Sequence, residues 1–266
     1  MLLKGYLTIF ITLVIILLVA ICKTYMSELS ERQKALLRMI IEEFVSSAEP
    51  ISSSHLTNKY RLNVSAATIR NEMAHLIRQG FLDQPHISAG RIPTPLGYRY
   101  YIQNLMTEDS LPVLKEVSMK QNVWNSRYEF DKLLRSAASS LSDATHLLSI
   151  VSTDDGRVYS SGVVNILDHA EFFDIEVSKA VFNMLDNYTL LADILSKRNT
   201  ANTCVILGEE FERETLYPVS AVAKSFTAGN KKGNLIVIGP SRMPYKEVIP
   251  AIRYMSGILE ELGSYW

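Results

Sequence analysis

Residues 65–80 leave little choice of local structure. Ser65 can cap a helix with its hydroxyl, and Gly80 suits the left-handed position that ends one. Between them Ile69, Met73, Leu76 and Ile77 fall within one arc at about 100° per residue. The opposite side then carries Ala67, Thr68, Asn71, His75 and Arg78, with Arg70 at the border. A face that is small and hydrogen-bonding near its N-terminus is what a helix needs to enter a DNA major groove. Short side chains permit close approach, Asn bonds adenine through two atoms, and Arg bonds guanine or phosphate. Spare N–H groups at the helix start also suit a backbone phosphate. A surface helix with a solvated polar side has the same periodicity, so the flanking residues must decide.

Upstream, Ser30-Glu31-Arg32-Gln33 has capping-box spacing, and Leu37, Ile40, Ile41, Phe44 and Val45 repeat at helical intervals. A first helix is expected there, stopped by Pro50. Ser52, Ser53 and Ser54 offer caps for a second short helix with Leu56 and Tyr60 facing inward, and residues 61–64 turn the chain into Ser65. Two helices joined by a short turn predict a helix-turn-helix. Downstream, Phe81-Leu82 starts a strand, Ser88-Ala89-Gly90 turns, and Arg91-Ile92-Pro93 returns. This is the pattern of a wing, with His86, Ser88 and Arg91 on or near its tip, in reach of a minor groove or phosphate. His86 alone reads as a plain surface histidine. Thr94-Pro95 opens a fourth helix whose tyrosines, Tyr98, Tyr100 and Tyr101, are expected to pack and not to stack on bases. The candidate DNA-contacting residues are therefore Ser65, Ala67, Thr68, Arg70, Asn71, His75, Arg78, His86, Ser88 and Arg91.

Charge supports this placement. With 266 residues, 47% apolar and 21% charged, the chain has room for two modest domains and a core in each. Its net charge of −1 conceals an uneven distribution. Residues 107–266 hold sixteen basic against twenty-one acidic residues, whereas residues 50–106 hold six basic against two acidic ones. Positive charge thus gathers where the turn signals gather, as a phosphate-facing surface requires. Cys22 and Cys204 form neither a disulfide framework nor a metal-ligand spacing, so no metal or cofactor is expected.

Residues 5–22 are eighteen without a charge, rich in Ile, Leu and Val, and reach the lower limit of a membrane-spanning helix. No small-x-small site follows, and Ile21 before Cys22 is unlike a lipoprotein box. If the segment inserts, Lys23, Arg32, Lys34 and Arg38 against Lys4 alone place the bulk of the chain in the cytoplasm, tethered to the membrane. The other reading takes Met26 as the start, just before the first capped helix, and gives an untethered cytoplasmic protein.

In the second half, residues 126–141 predict an amphipathic helix with Phe130, Leu133, Leu134, Ala137, Ala138 and Leu141 on one face, suited to dimerise or to pack. Strands are expected over 147–151 and 158–164, around Asp154-Asp155-Gly156, and over 204–207, 219–226 and 235–238. A helical region is expected over 172–195, a loop over 229–233 and a closing helix over 245–262, which together make an α+β domain. No phosphate-cradling glycine loop, HExxH pair or nucleophile elbow occurs, so no catalytic residues are assigned. Asp154 and Asp155 read as turn residues, and Lys231 and Lys232 as part of a solvated hairpin tip.

Several stretches carry a family resemblance. They are Leu29-Ser30-Glu31-Arg32-Gln33, then Val64-Ser65-Ala66-Ala67-Thr68-Ile69-Arg70-Asn71-Glu72-Met73, then Gln84-Pro85-His86-Ile87-Ser88-Ala89-Gly90-Arg91-Ile92-Pro93-Thr94 with Gly97-Tyr98-Arg99. Together they resemble the N-terminal domain of HrcA, the heat-inducible transcription repressor family. Gly162-Val163-Val164-Asn165-Ile166-Leu167 with Glu171-Phe172, and residues 235–245, resemble later parts of that family. The resemblance implies a dimeric repressor of chaperone operons that binds an inverted repeat called CIRCE, depends on chaperonin, and has a GAF-like second domain. The chain departs from the family between Ile150 and Val158. There HrcA proteins usually carry a longer stretch with an inserted dimerisation domain, and here only a hairpin-sized connection is available.

The expected fold is α+β: a hydrophobic helix in residues 1–25, a winged helix-turn-helix over 26–106, a linker and amphipathic helix over 107–145, and a GAF-like domain over 146–266. The expected function is repression of heat-shock operons by a homodimer on double-stranded DNA. A second reading is a membrane-anchored scaffold whose winged helix contacts protein. A bifunctional enzyme of the biotin-ligase type lacks every motif its catalysis would need.

Overall fold

The computed structural model of the chain describes residues 29–263. The apolar segment 5–22 and Met26 lie outside the described residues, and among the described residues no helix is long and apolar enough to cross a membrane. Contacts divide the chain into two compact units, one of Glu49–Gly97 with the chain up to Glu42, the other of Tyr98 onward with Glu43–Ala48.

The first unit is mainly helical. Helix α1 spans Glu31–Ser47. Its start is a full capping box, with the Gln33 N–H donating to Ser30 Oγ at 3.3 Å and the Ser30 N–H donating to Gln33 Oε1 at 3.0 Å. Leu36, Leu37, Ile40 and Ile41 of α1 are buried. Helix α2, Ser53–Tyr60, is capped by Ser52, whose Oγ accepts from the His55 N–H. Leu56 is buried as expected, but Tyr60 is 38% exposed. Tyr60 is the last residue of α2, where Arg61 adopts a left-handed conformation and turns the chain away, so the helical face that buries Leu56 does not continue. Helix α3 covers Ala66–Arg78, and a two-stranded hairpin follows, β1 Leu82–Asp83 against β2 Ile92–Pro93. Thr94 then caps helix α4, Pro95–Tyr100, accepting from the Gly97 N–H at 3.1 Å while donating to the Gly80 carbonyl at 2.5 Å. A π-helical turn, Tyr101–Leu105, continues α4. Tyr98 and Tyr101, already part of the second unit, are buried, consistent with packing.

The second unit is built on a five-stranded antiparallel sheet of order β4-β3-β7-β6-β5. Its strands are β3 Leu148–Thr153, β4 Val158–Ser161, β5 Cys204–Leu207, β6 Val219–Ala228 and β7 Lys231–Pro240. The helices are α5 Val113–Trp124, α6 Phe130–Thr145, α7 Ile175–Asp186, α8 Tyr188–Ser196 and α9 Tyr245–Gly263. Because alternate side chains of a strand point to opposite faces, Leu148, Ile150, Ile236, Ile238, Ala221 and Ala223 share one face, where they pack with Val181, Met184 and Leu191 of α7 and α8. The other face carries the buried Val151, Val222, Leu235 and Val237, and α6 and α9 contact these strands. Both faces are covered, which explains strands that read as nearly continuous apolar runs.

Three expectations change. Residues 113–124, placed in a linker, form α5, and α6 starts at Phe130 and not at residue 126. Lys231, Lys232 and Gly233 belong to β7, because a two-residue turn of Gly229 and Asn230 suffices to pair Ala228 with Lys231. Gly229 takes φ +60, the backbone that a first turn residue of a tight hairpin demands. The helical region over 172–195 is a 3-10 turn, Ala170–Phe173, followed by α7 and α8 with a break at Asn187.

Between β3 and β4 the chain closes directly. Ser152 pairs with Val158, and the Thr153 N–H donates to the Arg157 carbonyl at 2.9 Å. Asp155 accepts from Lys231 at 2.8 Å and from Thr153, and these bonds pull its carboxyl down to about 2.

Candidate nucleic-acid interface

Helix α3 is fixed at both ends by local chemistry. Ser65 stands in an extended conformation, and its Oγ accepts from the Thr68 N–H at 3.1 Å. At the other end Gly80, at φ +80, donates to the Ile77 carbonyl while the Phe81 N–H reaches the Leu76 carbonyl, the pair of bonds of a Schellman motif. Ile69, Met73 and Leu76 are buried, so the apolar arc anchors the helix. Ala67, Arg70, Asn71 and Arg78 are exposed on the other side, and Thr68 and His75 are half-buried. The Thr68 hydroxyl lies 2.9 Å from Ser65 Oγ, and Arg78 reaches toward His75 Nδ1. Inward orientation is reinforced by Glu72, which accepts from Arg32 and, at 3.1 Å, from Gln33. Burial works against the Glu72 carboxylate, but the hydrogen bonds from Arg32 and Gln33 outweigh it and hold its carboxyl below the ordinary value.

The hairpin loop has an ordered base and a protruding tip. His86 and Ser88 are exposed, Ile87 is 97% exposed, and the Ala89 N–H closes a turn on the His86 carbonyl at 2.8 Å. Gln84 holds the loop from inside, donating through Nε2 to the Ile87 carbonyl at 2.7 Å and the Ala89 carbonyl at 3.3 Å. Arg91 lies at the base. Its backbone pairs with Ile51 in both directions, at 2.8 and 2.9 Å, and its Nη1 donates to the Ala89 carbonyl at 2.9 Å.

These parts enclose a cleft of about 340 Å³ bounded by Ser52, Ser53 and Ser54 at the start of α2, by Arg70 of α3, and by Gln84 and Arg91 of the loop. Burial lowers the pKa of the Arg91 guanidinium, and the positive charge of Arg70 lowers it further. Among the described residues neither arginine is in an ion pair, and Arg91 Nε is buried without a hydrogen-bond partner. Two neighbouring cations beside a helix N-terminus favour an anion such as a phosphate oxygen. Sequence reasoning found both arginines and missed Ser52–Ser54, Gln84 and Ile87. By sequence alone the serines read as helix caps, and nothing local says that residues 52–54 and 84–91 share a cleft.

A family model described as the HrcA protein C-terminal domain matches residues 100–249, more than half of the chain. The chain belongs to the HrcA family. A protein of Symbiobacterium thermophilum named heat-inducible transcription repressor HrcA is 26% identical over 337 aligned positions, covering 88% of this chain and 99% of its own length. One of Acetivibrio thermocellus with the same name is 25% identical over 336 positions, covering 88% and 96%. Both aligned spans exceed the 266 residues of this chain, so these HrcA relatives carry sequence with no counterpart here. A crystal structure described as that of a hypothetical protein has a TM-score of 0.72 at 17% identity, covering 90% of this chain and 99% of its own, a likeness of fold.

Proposed function

We propose that this HrcA-family chain is a transcription repressor of heat-shock genes that binds an inverted-repeat DNA operator through α3 and the β1–β2 wing. One observation carries the reading: α3 is anchored by Ile69, Met73 and Leu76 and turns Ala67, Arg70 and Asn71 to solvent beside a cleft lined by two arginines. In this arrangement Ala67 and Thr68 let the helix approach the major groove, Asn71 and Arg70 bond base edges, and Ser65 with the α3 N-terminus meets a phosphate. His75 and Arg78 lie further along the same face, and His86 and Ser88 lie on the wing tip, near an adjacent groove or strand. Arg91 contributes from the cleft and not from the tip. The first unit is read as a winged helix-turn-helix and the second as GAF-like. The relatives' name, heat-inducible transcription repressor, supports the regulatory role and gives no support to an enzymatic one.

The family resemblance extends the proposal to a homodimer acting in the cytoplasm on chaperone operons, to a CIRCE-type operator, and to modulation by chaperonin. A two-fold protein on a palindrome is the geometry that places two recognition helices one DNA turn apart. The test is a gel-shift titration of the purified chain on an inverted repeat over a range of salt. Salt-dependent, palindrome-specific binding is expected, and replacing Arg70 and Asn71 together with Ala is expected to abolish it. Binding that survives the double change would falsify the assignment of α3.

A further inference from the structure

The sheet face that meets α7 and α8 changes character at one row. Successive rows across β3, β7 and β6 carry Leu148, Ile238 and Ala221, then Ile150, Ile236 and Ala223, all part of the core. The next row on that face is Ser152, Asn234 and Ser225, because Asn234 pairs with Ser152 on one side and with Ser225 on the other. A polar row at the end of a sheet is ordinary where it meets water, but here α8 roofs part of it. Ser152 is 2% exposed, and its hydroxyl bonds the hydroxyl of Tyr188. Between the row and Ala192 and Leu195 of α8 lies a cleft of about 520 Å³, a size typical of small-molecule sites. The Asn234 amide and the Ser225 hydroxyl line this cleft half-buried and, among the described residues, bond no other group. Polar side chains held in a cleft without partners lose solvation that a polar ligand would restore.

We propose that this cleft binds a small hydroxylated organic anion. An amide beside a hydroxyl offers both donors and acceptors, which is what a hydroxyl or carbonyl oxygen of a ligand needs. Strands about 4.8 Å apart spread the row over roughly 10 Å, enough for an extended small molecule to meet more than one of its members. The charge comes from two cations. Lys232 lies on the same face of β7, two residues before Asn234, and among the described residues it is exposed and in no ion pair. Arg198 donates to the Ile194 carbonyl at 2.7 Å and to the Glu210 carbonyl at 2.9 Å, bonds that fix its guanidinium at the cleft and leave its charge in place. Against them stands one lining acid, Asp154, so the balance favours a carboxylate or phosphate. All of these residues belong to the second unit, and the site does not depend on how the first unit meets DNA.

Thermal unfolding and titration calorimetry of the purified full chain are the test, with gluconate and glucose 6-phosphate as the carboxylate and phosphate probes and glucose as their neutral counterpart. At least one anion is expected to raise the thermal midpoint by about 5 °C at roughly 100 times its Kd. Which of the two does so identifies the anionic group, and glucose should bind about 10-fold more weakly. Asn234→Ala and Lys232→Gln should each raise Kd about 10-fold, and Ala192→Trp, which fills the cleft, should abolish binding. Lys231→Gln removes the same charge from the other face of β7 and should leave Kd unchanged. Lys232 is exposed, so circular dichroism should show that its variant keeps the fold. A wild type that responds to neither anion has a cleft that holds water only, and the proposal is overturned. Binding that Lys232→Gln and Ala192→Trp leave intact lies elsewhere on the chain, and glucose binding as tightly as the anions removes the anionic ligand. Either result also overturns the proposal.

Discussion

Glu72 of α3 accepts a hydrogen bond from Arg32 of α1 immediately beside Asn71, so adjacent residues of one helix face inward and outward. The Glu72 side chain is 14% exposed and that of Arg32 59%. The pair is therefore partly screened, but Gln33 supports the same carboxylate and fixes the rotation of α3 about its axis.

Replacing Glu72 with Gln removes the charge and keeps the size. The expected loss is about 1 kcal/mol, read from urea unfolding near neutral pH. The folded-state pKa of Glu72 lies below its ordinary value of 4.5. Its charge therefore adds stability that is complete above that value and disappears as pH falls through the folded one. The wild type and the variant should converge in acid. A gap that stays constant to well below 4.5 would mean that the ion pair is not its source.

Arg70 and Arg91 are assigned to phosphate or base contacts from the same cleft. Changing either to Ala should lower affinity for the operator, and for a phosphate contact it should reduce the slope of log K against log salt by about 1. If the slope of the Arg91 variant matched that of wild type, Arg91 would be a loop-bracing residue and nothing more.

Gly90 has no room for a methyl group. A Cβ there would stand 2.4 Å from the Pro50 carbonyl oxygen and 2.7 Å from the Ile51 carbonyl carbon, and both are backbone atoms that cannot swing away. Gly90→Ala should open the Ile51–Arg91 bridge at a cost of about 2 kcal/mol or more. Hydrogen exchange at the Ile51 and Arg91 amides should accelerate while the middle of α3 stays protected. Unchanged protection at those two amides would contradict the close approach.

Ser65 separates stability from binding. Ser65→Ala loses the bond to the Thr68 N–H and should cost about 1 kcal/mol. Ser65→Asp restores a cap and suits the helix dipole, but sets a carboxylate against the DNA backbone. Stability close to wild type with weakened operator binding is therefore expected from Asp. Undiminished binding by the Asp variant would remove the α3 N-terminus from the interface.

The amino-acid sequence by itself determined the local punctuation of this protein. The capping box at Ser30 and Gln33, the Ser52 and Ser65 caps, the left-handed Gly80 and the anchoring arc of Ile69, Met73 and Leu76 depend on bonds that close within a few residues. Such signals are legible without knowing the rest of the chain. The strands after residue 147 were legible for a similar reason, as β-rich apolar runs between turns, although their order in the sheet was not. Tertiary structure decided which side of each segment meets another segment. It set Arg91 at the base of the wing beside Ile51, joined Ser52–Ser54 to Gln84 and Arg70 around one cleft, and turned Tyr60 outward. It also buried Met119 and Val123 of α5 while leaving Leu114 and Val117 exposed, a choice hidden in sequence because both pairs are apolar. Burial is a property of pairs of segments far apart in the chain, and a local pattern carries no information about its distant partner.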